Sequence, residues 1–385
     1  MTQALLVIGA GLAGWTTVRE FRKLDASTPI VMVSADSGDF YAKPSLSNAF
    51  AQGKSPAQLV NTAAAKMADT LGVTLLAQTG VHAIHPADKS ITTSQGALGY
   101  RQLVLASGVQ PIRVPLQGDA ATQVLSVNSL QDFAAFHAQL QPAEGGGKHV
   151  VIMGAGLIGC EFANDLAAAG YRVSLVDPGP RPLAALLPEA ASAELRQALE
   201  QLGVCFWMGA TVRAVHHRPS SAARFAVSLS NGDSVPADVV LSAIGLRADM
   251  GLAKAAGLAV DRGIVVNAHL QTSTPEVYAL GDCARYAHGL TLPYVMPIMS
   301  AGKALAASLA GRPTPVVFPL MPVAIKTPAL PLVVAAPAPG AAGIWHHPEA
   351  GVWQWVDELG QQRGFVLSGA QTAQRSVQSR RVLLA

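Results

Sequence analysis

Three glycines with one fixed spacing occur twice in the chain. Each copy has the pattern Gly-x-Gly-x-x-Gly, follows an apolar run that predicts a buried strand, and opens an apolar run that predicts a helix. In that setting the glycines permit a tight turn and let the backbone approach a pyrophosphate, whose charge the helix N-terminus stabilises. The copies are Gly9, Gly11 and Gly14, and Gly154, Gly156 and Gly159. One chain is therefore predicted to bind two nucleotides.

An acidic residue follows the second strand of each predicted unit. Asp177 lies 23 residues after Gly154, where a carboxylate can accept hydrogen bonds from both ribose hydroxyls of an adenosine and repel a 2′-phosphate. The second site is therefore predicted to prefer NADH, although Arg181 nearby could pair with a 2′-phosphate. Asp36 takes the ribose role in the first site, 27 residues after Gly9. The alternative for Asp36 is that it caps a turn.

Composition points to a compact α/β protein. A chain of 385 residues suits two or three domains, and 50% hydrophobic with 13% charged residues excludes a disordered chain. No uncharged apolar run reaches the roughly 18 residues of a membrane span, so no membrane segment is predicted and a cytoplasmic location is the default. A net charge of +3 without a dense Lys/Arg block argues against a nucleic-acid partner.

Cysteine and histidine spacing gives no metal site. The three cysteines, Cys160, Cys205 and Cys283, are far apart in sequence, so they form neither a redox pair nor a zinc ligand set. They are predicted to be free and mostly buried thiols. His216 with His217, and His346 with His347, are adjacent on predicted strands, so their side chains are expected on opposite faces and no metal is predicted.

The order of strands, glycine turns and linkers along the chain predicts an α/β fold with two Rossmann-like dinucleotide-binding domains plus a small C-terminal α+β domain. A strand over 102–106 ends in Ser107-Gly108, and another over 238–243 ends near Gly245, so the halves resemble an internal duplication. A glycine-rich linker over 144–147 leads into the second fingerprint. The predicted domains are 1–114 with 244–315 for the first nucleotide, 115–243 for the second, and 316–385.

Several predicted helices and strands surround these motifs. The fingerprint helices are predicted over 15–23 and 160–169, and a third helix over 300–310. A short strand from Val277 is predicted to deliver Asp282 at a glycine turn before that third helix.

The order of five motifs resembles that of the flavoprotein reductases with two dinucleotide-binding domains, the pyridine nucleotide-disulfide oxidoreductase superfamily. The motifs are the two fingerprints, Tyr41-Ala-Lys43-Pro44-Ser-Leu-Ser47, Leu103-Val-Leu-Ala-Ser-Gly108 and Thr272 to Ala284 with Gly281-Asp282. Within that superfamily the chain is most similar to the rubredoxin reductases and the related flavorubredoxin reductases. The likeness covers essentially the whole chain, including Lys326-Thr-Pro-Ala-Leu-Pro-Leu332.

The resemblance implies FAD in the first site and NAD in the second. By position, Asp282 matches the acid that hydrogen-bonds the flavin ribitol, Lys43 the basic residue beside the isoalloxazine, and Glu161 an acid near the nicotinamide. Lys326 is predicted to contact the flavin or the partner protein, because a charge in an apolar, proline-rich strand is uncommon. The alternative is that its side chain only extends along apolar surface to place the ammonium in water. The predicted cofactor-binding residues are the six fingerprint glycines, Asp36, Lys43, Gly108, Asp177, Gly281, Asp282 and Lys326; the predicted catalytic residues are Lys43, Glu161 and Lys326.

The absence of a cysteine pair limits the kinds of electron acceptor that the protein is expected to reduce. Enzymes that pass electrons to disulfides need a dithiol beside the flavin, whereas a small one-electron carrier needs only an exposed flavin edge. Together with the resemblance to the rubredoxin reductases, this implies NADH-dependent reduction of rubredoxin as the function, in which the cofactors carry the chemistry. The alternatives are a ferredoxin or flavorubredoxin reductase, and a non-enzymatic redox-sensing flavoprotein resembling apoptosis-inducing factor.

Overall fold

The chain forms two compact units. The structure, a computed structural model, describes residues 4–141, 147–218, 223–289, 291–292, 294–338 and 340–383, so most of the predicted linker at 144–147 lies outside the described residues. Unit 1 comprises the described residues of Met1–Ala42, Ala57–Gln110 and Leu246–Pro319, and unit 2 those of Lys43–Pro56, Pro111–Gly245 and Leu320–Ala385.

Unit 1 is built on a five-stranded parallel sheet. Its strand order is Val277–Ala279, Gln102–Leu105, Leu5–Ile8, Ile30–Val33 and Val73–Leu76. The strand Leu5–Ile8 precedes the first fingerprint, and the strand Ile30–Val33 follows the fingerprint helix. Both are buried along their whole length, as a parallel sheet covered on both faces requires. Two helices, Leu12–Arg22 and Val295–Leu309, pack on each other where Gly302 meets Thr16.

The remaining elements of unit 1 are short. The α-helices are Ala64–Leu71 and Gly251–Ala255. The strands are Phe40–Tyr41, Val60–Thr62, Val81–His85, Ser90–Thr93, Gly96–Gly99, Val109–Pro111, Leu246–Ala248, Ile264–Val265 and Ala284–Arg285, of which Val109–Pro111 ends and Leu246–Ala248 begins at a unit boundary.

Unit 2 contains a second parallel sheet. Its strand order is Val204–Met208, Arg172–Asp177, His149–Met153 and Val239–Ser242. The helices are Leu157–Ala168, which follows the second fingerprint, Leu130–Gln139 and Glu189–Gln201. An antiparallel sheet of Val212–His217, Phe225–Leu229 and Ser234–Ala237 precedes the last parallel strand.

The two parallel sheets repeat one topology. The strands Gln102–Leu105, Leu5–Ile8, Ile30–Val33 and Val73–Leu76 have the same order as Val239–Ser242, His149–Met153, Arg172–Asp177 and Val204–Met208. In both units a three-stranded antiparallel sheet lies in sequence directly before the first of these four strands. The predicted internal duplication and the two Rossmann-like domains are therefore confirmed.

The C-terminal part of unit 2 is a small α+β assembly, as predicted. Five antiparallel strands have the order Val323–Ile325, Leu332–Ala335, Gln362–Ser368, Val352–Asp357 and Gly343–Glu349. The helix Arg375–Arg381 follows them. Phe365 and Leu367 are fully buried in its core.

Three helices begin earlier than the sequence predicts. Both fingerprint helices start directly after the middle glycine, at Leu12 and Leu157, because that glycine is itself the N-cap. The third helix starts at Val295 and contains Pro297 in its first turn, where the missing N–H of proline costs nothing. In the described part of the chain, no helix has both the length and the hydropathy that crossing a membrane requires.

The unit boundaries after Gln110, Gly245 and Pro319 lie within a few residues of the predicted domain limits. The segment 43–56 was expected with the first domain, but its contacts place it in unit 2. The three functional domains themselves stay a prediction.

Candidate functional site

The first fingerprint has the geometry of a nucleotide-binding turn. Gly9 has φ +105°, a conformation that favours glycine. A Cβ on Gly9 would clash with the carbonyl oxygen of Ala106, and one on Gly14 would clash with the carbonyl oxygen of Gly9. A Cβ on Gly11 would meet no atom within 4 Å. Two glycines are thus needed for packing, and the third leaves bare backbone facing open space.

The second fingerprint repeats this arrangement. Gly154 has φ +103°, and a Cβ there would lie 2.6 Å from the carbonyl oxygen of Ala243. A Cβ on Gly159 would clash with the oxygen of Gly154, and one on Gly156 would again meet nothing within 4 Å. The two turns are therefore equivalent position by position.

Both fingerprint helices begin without a capping side chain. Gly11 and Gly156 are the N-caps, and neither helix has a side-chain hydrogen bond at this end. The first N–H groups of a helix have no partner within the helix, and together with the helix dipole they attract an anion. Each helix N-terminus is thus able to hold a phosphate.

Asp177 is tied to the second fingerprint. It is the last residue of its strand, and its Oδ2 accepts a hydrogen bond from the N–H of Ala155 at 2.7 Å. Its Oδ1 accepts from the N–H of Gly179 at 2.6 Å. Each carboxylate oxygen has a second lone pair, so both can still accept a ribose hydroxyl. In the described structure the Nε of Arg181 is buried and has no hydrogen-bond partner.

Asp36 is held differently from Asp177. Its Oδ1 accepts hydrogen bonds from Ser34 Oγ at 2.5 Å and from the N–H of Gly38 at 2.9 Å, so Asp36 does cap a turn. Val33 and Val176 have equivalent positions in their sheets, which makes Ser34 the positional equivalent of Asp177. The ribose role of Asp36 stays a prediction.

Gly108, Gly281 and Asp282 lie at the carboxyl edge of the unit 1 sheet, as the first fingerprint does. Gly108 follows the strand Gln102–Leu105 and has φ +71°. Gly281 has φ +79°, and a Cβ there would lie 2.9 Å from Cβ of Ala13. The turn Gly281–Cys283 therefore packs on the first turn of the fingerprint helix, and the structure brings the half-buried Asp282 beside it.

The helix after the second fingerprint carries three buried polar side chains on one face. They are Glu161, Asn164 and Asp165, spaced i, i+3 and i+4. Asn164 Oδ1 accepts from the N–H of Ala329 at 3.0 Å. The two oxygens of Asp165 accept from the N–H groups of Phe50 and Ala51, each at 2.9 Å. Burial raises the pKa of Asp165, and these hydrogen bonds oppose the shift.

Glu161 lies at the centre of a cluster in unit 2. Its Oε1 accepts from the backbone N–H of Lys326 at 2.9 Å, and its Oε2 accepts from Ser47 Oγ at 2.6 Å. The Lys326 ammonium is 3.5 Å from Oε2 and donates to the carbonyl oxygen of Pro44 at 2.7 Å. Two predicted site residues, Glu161 and Lys326, are thus brought into direct contact.

Lys43 belongs to the same segment but its ammonium points elsewhere. It is the first residue of the 3₁₀ segment Lys43–Asn48 and is exposed. Its Nζ donates to Asn128 Oδ1 at 3.2 Å. Lys43 therefore lies at the surface of unit 2.

Sequence reasoning missed three residues of this cluster. Ser47, Asn164 and Asp165 are buried and bonded across more than a hundred residues of sequence. One signal could have found the two helix residues: a carboxylate, an amide and a second carboxylate share one face of an otherwise apolar helix. Ser47 carries no such signal.

The thiols and imidazoles form no metal centre in the described structure. Cys160 and Cys283 are buried and Cys205 is exposed, and all three are free. His216 and His217 were expected on opposite faces, yet the Nδ1 atoms of both reach the carboxylate of Asp119, at 3.4 and 3.1 Å. His347 stacks on Trp353 at 4.8 Å. Among the described residues no group of three or more His, Cys, Asp or Glu is placed to hold a metal ion.

The chain belongs to the pyridine nucleotide-disulphide oxidoreductase family, whose model matches residues 3–308. Residues 315–381 match a second model, the rubredoxin binding C-terminal domain. The family resemblance predicted from the motifs is thereby confirmed.

Named relatives span nearly the whole chain. It is 47% identical over 343 residues to the rubredoxin-NAD(+) reductase of Alcanivorax borkumensis, covering 89% of this chain and 87% of the relative. It is 43% identical over 374 residues to the rubredoxin-NAD(+) reductase of Acinetobacter baylyi, with 95% and 94% covered. The nitric oxide reductase FlRd-NAD(+) reductase of Aeromonas salmonicida is 40% identical over 374 residues, with 96% and 94% covered.

A solved structure has a similar fold over nearly the whole chain. The covalent putidaredoxin reductase–putidaredoxin complex contains a chain that is 25% identical, with a TM-score of 0.87 and 98% of this chain and 93% of that chain covered.

Proposed function

We propose that the protein is an NADH-dependent FAD flavoprotein that transfers electrons from NADH to rubredoxin. The observation that carries the proposal is the match of residues 315–381 to the rubredoxin binding domain, on a chain whose residues 3–308 match the pyridine nucleotide-disulphide oxidoreductases. Two relatives with 47% and 43% identity bear the name rubredoxin-NAD(+) reductase.

The residues present fit two dinucleotides. Open space lies at Gly11 and Gly156, where a Cβ would meet no atom, and the helix that follows each has an uncapped N-terminus. These are the features that a pyrophosphate needs. We assign FAD to the first turn and the nicotinamide nucleotide to the second.

In unit 1 we propose that the first fingerprint holds the FAD pyrophosphate. Asp282, placed beside the first turn of the fingerprint helix, accepts a hydrogen bond from the ribitol chain. Gly108 and Gly281 let backbone approach the cofactor at the carboxyl edge of the sheet, where ligands of such folds bind. Asp36 serves the adenosine ribose.

In unit 2 we propose that the second fingerprint and Asp177 hold NADH. Bound FAD would supply the conversion between a two-electron donor, NADH, and a one-electron carrier. Lys43 and Lys326 supply positive charge toward the flavin, which favours its reduced, anionic form. Glu161 fixes the backbone of Lys326 and faces the nicotinamide side.

The cysteines support a one-electron carrier as the acceptor. Burial raises the pKa of the Cys160 thiol and of the Cys283 thiol, and a thiol that stays protonated is a poor redox nucleophile. Cys205 has no neighbouring cysteine in sequence. No dithiol relay is therefore proposed. The free thiols also support a cytoplasmic location, since reducing compartments keep thiols unpaired.

We propose the functional division 1–114 with 244–315 for FAD, 115–243 for NADH, and 316–385 for the carrier. The last division is supported by the separate antiparallel sheet that begins at Val323.

A flavorubredoxin is the second candidate acceptor. A relative of 40% identity, covered over 94% of its length, is named nitric oxide reductase FlRd-NAD(+) reductase. The rubredoxin assignment has the higher identity in its favour.

One experiment separates these functions. Anaerobic NADH oxidation by the purified protein would be followed with rubredoxin, with flavorubredoxin, with a ferredoxin and with no carrier. We expect fast turnover with rubredoxin and little without a carrier. Equal, slow oxidation in all four mixtures would instead favour a redox sensor without a catalytic acceptor.

A further inference from the structure

We propose that Ser47 is a positioning residue for Lys326. Its hydroxyl occupies Oε2 of Glu161 and thereby keeps the Lys326 ammonium on the carbonyl of Pro44. The consequence for the flavin rests on the proposed function, whereas the position of the ammonium does not.

The hydroxyl of Ser47 has two acceptors within reach and one proton. Glu161 Oε2 is 2.6 Å from Ser47 Oγ, and the carbonyl oxygen of Pro44 is 3.4 Å away. A hydroxyl donates only one hydrogen bond at a time, and the short contact to a carboxylate is the stronger. Ser47 therefore donates to Glu161 and leaves the Pro44 carbonyl to another donor.

That other donor is the Lys326 ammonium, which bonds the weaker acceptor. Its Nζ is 2.7 Å from the Pro44 oxygen but 3.5 Å from Oε2 of Glu161. An ammonium ordinarily makes its shortest bond to a carboxylate. Here the hydroxyl is already on that oxygen. Oε2 has a second lone pair, but the neutral donor lies closer to it than the charged donor does, and the ammonium makes its short bond to Pro44 instead.

The surroundings make this arrangement sensitive to one hydroxyl. Glu161 is 8% exposed and Ser47 5% exposed, so water cannot freely replace a lost donor. The other carboxylate oxygen, Oε1, is fixed by the backbone N–H of Lys326. The hydroxyl of Ser47 and the ammonium of Lys326 both approach the other oxygen, Oε2.

Removing the hydroxyl should move the charge. A buried carboxylate that loses a donor recruits another, and the lysine side chain has a flexible stem with rotatable donors. The ammonium should therefore close the 3.5 Å gap to Oε2 and leave Pro44. Because Pro44 directly follows Lys43, the positive charge would move away from the segment Lys43–Asn48 and toward Glu161.

The direct test is a set of three crystal structures: wild type, Ser47→Ala and Ser47→Thr. In Ser47→Ala we expect Nζ of Lys326 within about 3 Å of Glu161 Oε2 and no longer on Pro44. In Ser47→Thr, which keeps the hydroxyl, we expect the wild-type arrangement. An ammonium that remains on Pro44 in Ser47→Ala would overturn the proposal, whatever the protein reduces.

A double-mutant cycle on the flavin midpoint potential tests the consequence. We expect Ser47→Ala to lower the potential, in the same direction as Lys326→Met and by less. In the Lys326→Met background, Ser47→Ala should leave the potential unchanged, because Ser47 acts through the lysine charge. An equal shift in both backgrounds would mean that Ser47 acts on the flavin without Lys326, and the proposal would fail.

The two proposals fail separately. Wild-type protein that binds FAD but does not reduce rubredoxin would contradict the proposed function. The double-mutant cycle with Ser47→Ala could still be measured and would still test the role of Ser47. If Ser47→Ala binds no FAD, its apo structure still reports where the ammonium lies.

Discussion

The backbone N–H of Lys326 donates a hydrogen bond to Oε1 of Glu161 at 2.9 Å, across 165 residues of sequence. Glu161 lies in the helix that follows the second fingerprint. Lys326 lies in the part of the chain that matches the rubredoxin binding domain. One buried carboxylate thus joins the helix of the proposed NADH site to the proposed carrier domain.

Charge at Asp177 should set the preference for NADH. The carboxylate repels a 2′-phosphate and can accept ribose hydroxyls, so we expect NADH to be favoured by on the order of 2–3 kcal/mol, or roughly tens- to a hundredfold in kcat/KM. Asp177→Asn keeps an acceptor for Ala155 and should lose most of this preference. Steady-state kinetics with both nucleotides measure it, and Asp233→Asn, in an exposed turn, is the control. Equal kcat/KM values in wild type would show that Arg181 outweighs Asp177.

Asp282 should control FAD retention. Its turn packs on the first fingerprint helix at Ala13, so loss of the carboxylate removes one proposed cofactor contact. We expect Asp282→Ala to retain less than one FAD per chain after purification and to bind added FAD more weakly. Gel filtration and flavin fluorescence titration give both values, with Asp88→Ala at an exposed turn as the matched variant. Full occupancy in Asp282→Ala would remove Asp282 from the site.

The cysteines should be dispensable for electron transfer. Burial holds the Cys160 and Cys283 thiols protonated, because it raises their pKa values, and Cys205 is exposed without a neighbouring cysteine in sequence. The triple Cys→Ser variant should reduce rubredoxin at close to the wild-type rate, measured by stopped-flow absorbance. A variant that folds and binds FAD but cannot reduce rubredoxin would establish a thiol relay.

Transfer to the carrier should depend on salt. From residue 316 onward the chain has five Lys/Arg and three Asp/Glu, and rubredoxins are acidic, as the family resemblance implies. Weak attraction speeds encounter and is screened by ions, so rubredoxin reduction should slow as salt rises while flavin reduction by NADH changes far less. Arg380→Glu with Arg381→Glu should flatten the salt dependence, and Lys66→Glu in unit 1 should not. A salt response confined to the NADH step would contradict carrier steering.

His149 should weaken the fold at low pH. Burial, aided by the charge of Arg172, lowers the pKa of His149 although Asp238 opposes the shift. The unfolded chain then binds the proton more readily, so the free energy of unfolding should fall as pH drops below the ordinary histidine value of about 6.5. Urea titrations at pH 7.5 and 5.5 would measure this loss. His149→Gln should reduce it, and His82→Gln, an exposed histidine, should not.

Sequence alone predicts those parts of the fold that have a local pattern. The strands Gln102–Leu105 and Val239–Ser242 lie within one residue of their predicted bounds, 102–106 and 238–243, because a short buried apolar run between turn residues has a recognisable form. The contacts of Ser47 and Asn164 cannot be read in this way. They join segments 114 and 165 residues apart, and a pairing over that distance leaves no periodicity in either segment.

Asp36 shows a second limit. Counting residues after the glycines selects the next acid, whereas the sheet register selects Ser34 as the equivalent of Asp177. A difference of a few residues in loop length is enough to separate the two criteria.

The open space at Gly11 and Gly156 makes both positions suitable for substitution by alanine. Both residues have ordinary extended backbone, with φ of −80° and −78°, and no neighbour that a methyl group would strike. Alanine at either position should leave the polypeptide correctly folded while filling part of the volume that we propose for a phosphate group. Under the proposed function, alanine at Gly156 should block NADH binding while FAD stays bound, whereas alanine at Gly11 should remove FAD and with it both half-reactions.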